Sequence, residues 1–552
     1  MPANKPSREE IARREIGVTS ISRGSSLFLS LCFLTVIFLV PVGQIIIDGD
    51  DSIRMPVLSI SSGKDQSLLD KTILINKTIL ENIDQLEGDL EQRSFLRSLF
   101  LPPLQYLFTT FLGQGNEKVI VGRDDQLFYR PAVDYLIGPP FLDKHQQIKR
   151  SYGHEIWEDP VLPDPVAAIL AFKDQLALRN IELVLLPVPV KAAVRPDSLS
   201  MKAGYGPLAN RSWNRFIKHL QEAGVVVFDI RDHLYDFEKR YGNAYLKNDT
   251  HWSPSAMKEI AARLAQFLTD RYPDLSGDIS YDYHQVMHSS VGDLSRMLNL
   301  PERSGLSAEV TLEIEQVMTP AGAFWQPDKQ SPILLLGDSF TNIYSSAGLE
   351  MGDSGGFAEH LSYHLHQPVD LLARNDDGAY ITREMLATEL ARGRNRLADK
   401  RVVIWQFAER ELAFGNWKQI VLTLGTPKPS EFIAIASGGR FEVSATVADV
   451  SYSPRPGTIP YRDNIVTIHL VDLQGEEVVE NGSQALMYGF GMRDNMMTSM
   501  AALRPGDRVS VTLSSWEDRE KEYGSYRRTS LDDEMIELEV PHWGEITDDK
   551  ID

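Results

Sequence analysis

The spacing of apolar residues divides this chain into four regimes. Residues 27–47, LFLSLCFLTVIFLVPVGQIII, form one uncharged run with no polar face. After a polar linker from residue 48, positions Leu68, Leu69, Ile73, Ile75, Leu80, Ile83 and Leu86 recur at helical spacing, and an aromatic stretch follows from Phe95 to Phe111. That pattern predicts an amphipathic stalk over 48–114 that packs on the next domain; a surface-lying or partner-docking helix is the alternative. Between 115 and 425, short apolar runs alternate with amphipathic segments. From 430 to 552 the pattern switches to a period of two.

The third regime reads as alternating strand and helix. Strands are expected at Lys118–Val121, Leu127–Tyr129, Ile181–Val188, Val225–Phe228, Ile333–Leu336, Val369–Leu372 and Val402–Trp405. Helices are expected over 164–179 and after Ser253-Pro254, a capping serine followed by proline at the first helical position. Such alternation implies an α/β fold, a mostly parallel sheet with flanking helices. The fourth regime carries Phe441–Val447, Ile465–Leu470 and Arg508–Leu513, alternating and separated by turns such as Pro505-Gly506-Asp507. It predicts a C-terminal all-β module, sandwich or barrel.

The uncharged run is long enough to cross a bilayer core as a helix. Lys5, Arg8, Arg13, Arg14 and Arg23 precede it and Asp48, Asp50 and Asp51 follow. The positive-inside rule then puts residues 1–26 in the cytoplasm and the remainder outside, with 27–47 as an uncleaved anchor. No small-x-small site follows that would mark a cleaved signal. Composition adds exclusions. A formal net charge of -21 argues against a nucleic-acid partner. The single cysteine, Cys32, lies in the apolar run and excludes any disulfide or thiolate metal cluster downstream.

Two motifs carry chemistry. Gly337-Asp338-Ser339-Phe340 directly follows the apolar run Ile333–Leu336, so a serine sits at the carboxyl end of a buried strand, where open α/β sheets place their sites. Asn248-Asp249-Thr250-His251-Trp252 supplies an aspartate and a histidine two positions apart, on one face if extended. Together they offer a nucleophile, a base and a group to orient the base, the set needed for acyl chemistry on an oxygen ester. Alone, Ser339 would be read as a helix cap, His251 as structural and Asp338 as a turn residue; the joint occurrence favours the triad. Lys191 and Lys247 could line a saccharide groove, although solvated lysines are the default. His360 and His364 lack an evident third metal ligand and read as surface residues. Trp516, Trp543 and Tyr488 could stack on sugar rings, but core positions are favoured. No HExxH, P-loop or strand-linked GxGxxG is present, which removes zinc protease, NTPase and dinucleotide readings and leaves no metal or cofactor to expect.

Five segments in order, Gly122–Tyr129 (GRDDQLFY), Leu186–Asp197 (LPVPVKAAVRPD), Tyr245–Met257 (YLKNDTHWSPSAM), Leu334–Phe340 (LLLGDSF) and Val402–Ala413 (VVIWQFAERELA), resemble the alginate O-acetyltransferase family of AlgJ and AlgX. In that family the Asp-x-His pair precedes the serine, as here. Asp125-Gln126 stands where relatives usually show Gly-Trp, and Gln406 where a glutamate is common. The resemblance implies an SGNH-hydrolase-like catalytic domain over 115–425. Its anchor is similar to that of AlgJ and its β-module over 430–552 to the carbohydrate-binding module of AlgX.

By this resemblance Ser339 is the nucleophile, His251 the base and Asp249 its orienting partner. The loop after the next strand, with Asn375 and Gly378, is a source of a second oxyanion donor. Gln406, Arg410 and Lys191 are further substrate-binding positions. The implied protein is a single-pass bacterial inner-membrane O-acetyltransferase of exopolysaccharide with its catalytic domain in the periplasm. Its acetyl donor would come from a membrane-bound O-acyltransferase, among other export proteins. The Asn248-Asp249-Thr250 sequon fits a bacterial setting, since a glycan there would block the site. A polysaccharide acetyl esterase and an inactive polysaccharide-binding scaffold are the alternatives.

Overall fold

The structure, a computed structural model, describes residues 22–48, 94–152, 160–200 and 206–301 and, with short gaps, 305–547. The chain divides into two compact units at Leu101/Pro102. In the first, a helix spans Arg23–Asp48 and leaves Leu27, Phe28, Phe33 and Phe38 exposed. Counting only residues described to the side chain, no helix is long and apolar enough to cross a membrane; side chains at 36, 39–42, 44, 45, 47 and 48 fall outside that description. Of the stalk expected over 48–114, residues 49–93 lie outside the described residues, and a helix at Phe95–Leu112 is seen in the rest.

The second unit contains a five-stranded sheet: β1 (Glu182–Val188), β2 (Val226–Val227), β3 (Ile333–Gly337), β4 (Asp370–Ala373) and β5 (Val402–Ala408). Every pairing is parallel and the order is β2-β1-β5-β3-β4. Helices cover both faces, which is why these strands are apolar throughout rather than alternating. Val184, Leu186, Val402 and Ile404 pack on one side with Met257, Ile260, Leu264 and Leu268 of the helix Pro254–Arg271. Leu183, Leu185, Val403 and Trp405 pack on the other with Ile169, Phe172 and Leu176 of the helix Pro165–Ala177. Both helices begin as their sequences dictate. Asp164 accepts from the backbone N–H of Val166 and Ala167, Ser253 accepts from Ala256, and each cap is followed by proline.

An antiparallel hairpin, Asp282–Ser290 with Val310–Met318, was not foreseen; its first strand is largely exposed and polar, so it offers no apolar period. The C-terminal region is a barrel. Strands β6 (Arg440–Val450), β7 (Asn464–Gln474), β8 (Ala485–Arg493), β9 (Arg508–Ser515) and β10 (Pro541–Ile546) pair in the ring order β6-β7-β8-β10-β9-β6. Within this ring of five, β8 and β10 run parallel and the other four pairings are antiparallel. This is the strand order of the five-stranded Greek-key OB barrel. Inward side chains Val443, Ala445, Val466, Ile468, Met487, Val509 and Leu513 fill it.

Candidate active site

β3 ends at Gly337, and the backbone turns at once into a short helix, Ser339–Asn342. The turn is tight enough that a Cβ at 337 would lie 2.3 Å from Thr341 Oγ1, so only glycine fits. Asp338 caps the helix. Its Oδ1 accepts from the backbone N–H of Phe340 (2.8 Å) and from Gln406 Nε2 (2.7 Å), and its Oδ2 from the backbone N–H of Ala408 (2.7 Å). Gln406 Oε1 in turn accepts from the backbone N–H of Asp338 (3.0 Å) and from Thr341 Oγ1 (2.7 Å). Asp338 is thus a turn residue, as its sequence context suggests. Gln406, expected at the substrate, instead braces the nucleophile turn from β5.

The second motif is laced to this turn. Trp252 Nε1 donates to the Phe340 carbonyl (3.1 Å), and Tyr344 Oη donates to the Trp252 carbonyl (2.6 Å). The His251 ring packs against the Phe340 ring with centroids 4.8 Å apart and the planes tilted by 56°. The consequence is a continuous contact: His251 Nε2 lies 2.8 Å from Ser339 Oγ, and His251 Nδ1 lies 2.7 Å from Asp249 Oδ1. With the proton on Nδ1 held by the carboxylate, Nε2 is free to accept the serine proton.

Electrostatics follow from burial and pairing. Burial works against charge on Asp249, but the His251 ring and the backbone N–H groups of Asp293 and His251 outweigh it, holding the carboxyl well below the usual range. Burial likewise opposes a cation on His251, and Asp249 more than compensates, so its pKa is raised. Asp293 was missed by the sequence reading. Its backbone N–H donates to Asp249 Oδ2 (2.8 Å) and its carboxylate accepts from Thr250 N–H (2.9 Å). Burial, then the Asp249 charge, raise its pKa. Ligand atoms of Asp249, His251 and Asp293 lie within 4.8 Å of one another. Both Asp249 oxygens and both ring nitrogens of His251 already have hydrogen-bonding partners, which fits a proton-handling network better than a chelate.

A cavity of about 90 Å³ opens beside Ser339 and His251, lined also by Tyr129, Asp293, Arg296, Glu350, Arg410, Tyr461 and Arg462. Of the positions expected from the resemblance, Arg410 is there, its guanidinium 5.5 Å from the Tyr129 ring. Asn375 and Gly378 are not among the lining residues. Asn375 Oδ1 accepts from Asn342 Nδ2 (2.8 Å), and the loop supports the nucleophile helix from behind. Lys191 is no groove residue: its buried ammonium donates to the carbonyls of Leu127 (2.8 Å), Leu246 (2.6 Å) and Lys247 (2.8 Å). Burial, then Arg195, push its pKa down to about 7. Arg296, Glu350, Tyr461 and Arg462 carry no local signal; only the fold brings them to the serine.

Two further expectations are settled away from the triad. His360, expected at the surface, is 3% exposed, and with His364 it lines a separate cavity of about 710 Å³ that contains no triad residue. Tyr488, Trp516 and Trp543 are buried together, with Tyr488 and Trp516 ring centroids 5.1 Å apart, so they are core and not sugar platforms.

A parallel sheet with a serine at the carboxyl end of one strand, and its histidine and aspartate on a separate loop, is an α/β arrangement suited to acyl transfer through a serine nucleophile. Residues 150–409 match the family model for the SGNH hydrolase-like domain of acetyltransferase AlgX. A probable alginate O-acetylase AlgJ of Pseudomonas putida is 25% identical over 313 residues, 55% of this chain and 72% of that protein. Its counterpart in Azotobacter vinelandii is 26% identical over 313 residues, with the same shares of 55% and 72%. Among solved structures, the O-acetyltransferase domain of Pseudomonas putida AlgJ aligns with TM-score 0.40 and 23% identity, over 54% of this chain and 93% of that one. Pseudomonas aeruginosa AlgX aligns with TM-score 0.38 and 18% identity, over 72% and 91%.

Proposed function

We propose that this chain is an O-acetyltransferase that moves acetyl groups onto hydroxyls of an alginate-like exopolysaccharide. The carrying observation is the unbroken Ser339–His251–Asp249 contact. The match to an acetyltransferase domain family and the names of the AlgJ relatives support the choice of acyl group and polymer. In the first half-reaction Ser339 Oγ attacks the acetyl carbonyl of an ester or thioester donor and passes its proton to His251 Nε2. The bond to the donor breaks, and the leaving group takes that proton. In the second half a sugar hydroxyl gives its proton to His251, its oxygen bonds the carbonyl, and Ser339 departs reprotonated. The backbone N–H of Ser339 and the Arg410 guanidinium, both at the cavity, are the groups available to stabilise the carbonyl oxygen.

The reading extends to place and partners. The run 27–47, with basic residues before it and acidic ones after, supports a single-pass anchor in the bacterial inner membrane with the catalytic domain in the periplasm. There a membrane-bound O-acyltransferase would hand over the acetyl group, and other export proteins would present the polymer. Incubation with a chromogenic acetyl ester tests the core of the proposal. Ser339 should carry one acetyl group by mass spectrometry, and Ser339→Ala should lower turnover by about 10⁶-fold, as for loss of other triad nucleophiles. An unmodified Ser339, or full activity in the variant, refutes it. Acetate release with no sugar ester formed would assign the esterase alternative.

A further inference from the structure

The loop that carries Asp249 and His251 is gripped by a short helix, Asp293–Met297. Gly292, just before it, approaches so closely that a Cβ there would lie 2.2 Å from the Asn248 carbonyl oxygen. The Ser295 N–H reaches the same oxygen (3.4 Å). At the first helical position Asp293 makes two further bonds. Its backbone N–H donates to Asp249 Oδ2 (2.8 Å), and its carboxylate accepts from the Thr250 N–H (2.9 Å). The helix is itself fixed: Leu294 and, just past its end, Leu298 are buried in one cluster with Val119 and Leu127, and Asn116 Nδ2 donates to the Met297 carbonyl (2.7 Å). Asp249 Oδ1 meanwhile accepts from the His251 backbone N–H (2.9 Å) and from His251 Nδ1 (2.7 Å). With the Asp293 N–H on the other oxygen, the carboxylate is held from turning away from the ring.

We propose that Asp293 is a positioning residue for acyl transfer: it pins the Asp249 carboxylate to the His251 ring and sets a second negative charge beside the imidazolium that each half-reaction forms. The proposal rests on the acyl-transfer reading above and adds a residue to the machinery that reading uses. A neutral oxygen would serve the Thr250 N–H equally well, so that bond alone does not call for a carboxylate. A second acid next to buried Asp249 is unfavourable at rest, because burial disfavours its charge and the two anions repel. The arrangement becomes favourable when the ring takes the serine proton, since both carboxylates then face a positive charge. Burial opposes the charged ring; Asp249 and then Asp293 favour it, and Arg410 acts against it. The other cations nearby are already engaged. Arg296, on the same helix, is bound to Glu350, and the Lys191 ammonium lies on the carbonyls of Leu127, Leu246 and Lys247. Burial, then the Asp249 charge, push Asp293 up to about 6, so it is ionised where His251, raised above its ordinary value, loses its proton.

The test uses the full chain in detergent with p-nitrophenyl acetate, read as a pH profile of ester turnover. Asp293→Asn keeps the backbone N–H and an oxygen for Thr250 and removes only the charge. Its acid limb should move to lower pH, because an anion that favours the charged ring is gone. Turnover on the plateau should fall by about tenfold, the rate equivalent of one pKa unit at the imidazole. Asp293→Glu, which restores the charge on a longer arm, should bring the limb back toward its wild-type position. A purely structural residue would change stability and leave the limb where it was. An unmoved limb or undiminished turnover in folded Asp293→Asn overturns the proposal, and so does an Asp293→Glu variant that titrates like the Asn variant. Should Asp293→Asn misfold, the Glu variant decides alone: a wild-type limb supports the proposal and a lowered one overturns it. Failure of the underlying reading looks different: Ser339 of the wild type would then carry no acetyl group after incubation with the ester.

Discussion

His251 sets the pH dependence of this site. It must be neutral to take the serine proton, and its partner Asp249 raises its pKa above the ordinary value. Activity should therefore be lost as pH falls through a midpoint above about 6.5, the unperturbed imidazole value. Replacing Asp249 by Asn removes the charge that raises it and frees the wrong tautomer. The acid limb should move down in pH while the rate falls by about 10⁴-fold. A pH profile of ester turnover for both proteins checks the pair; an unmoved limb would mean another group titrates. Asp249, His251 and Ser339 were legible in the sequence because each sits in a short local pattern. Asp293 was not, since it meets Asp249 through a backbone N–H that no side-chain identity announces.

Among elements, the parallel strands were the most legible. Burial on both faces leaves an unbroken apolar run, and β3 and β5 read as such. What sequence could not supply is the bracing between elements. Lys191, outwardly a saccharide contact, spends its ammonium on three carbonyls of the segments at 127 and 246–247, just ahead of Asp249. Lys191→Met would take the ammonium away from those carbonyls, of which that of Lys247 keeps the Leu127 N–H (3.0 Å), and stability should fall by about 1–3 kcal/mol. Because the freed segment carries the triad aspartate, ester turnover should drop as well, beyond what the unfolded fraction explains. Denaturant unfolding with parallel kinetics separates the two effects. A stable, fully active variant would show that the loop holds itself.

At the scale of the whole molecule, every described residue lining the Ser339 cavity lies between 129 and 462, in the second compact unit. The triad lies wholly in that unit, so the task proposed for the N-terminal run is placement rather than chemistry. That separation makes a sharp prediction. A chain lacking residues 1–47 should be released from the membrane fraction yet still acquire an acetyl group on Ser339 from a small soluble ester. In cells the same chain should fail to acetylate polymer, because a donor protein embedded in the membrane is met in two dimensions by an anchored partner and only at bulk concentration by a free one. Grafting an unrelated single-pass helix of the same orientation should restore polymer acetylation if proximity is the whole effect. If the graft restores membrane retention but not acetylation, the native run 27–47 itself contacts the donor protein. If the truncated chain acetylates polymer normally, the acetyl group reaches Ser339 from a soluble carrier and the membrane-bound partner drops out.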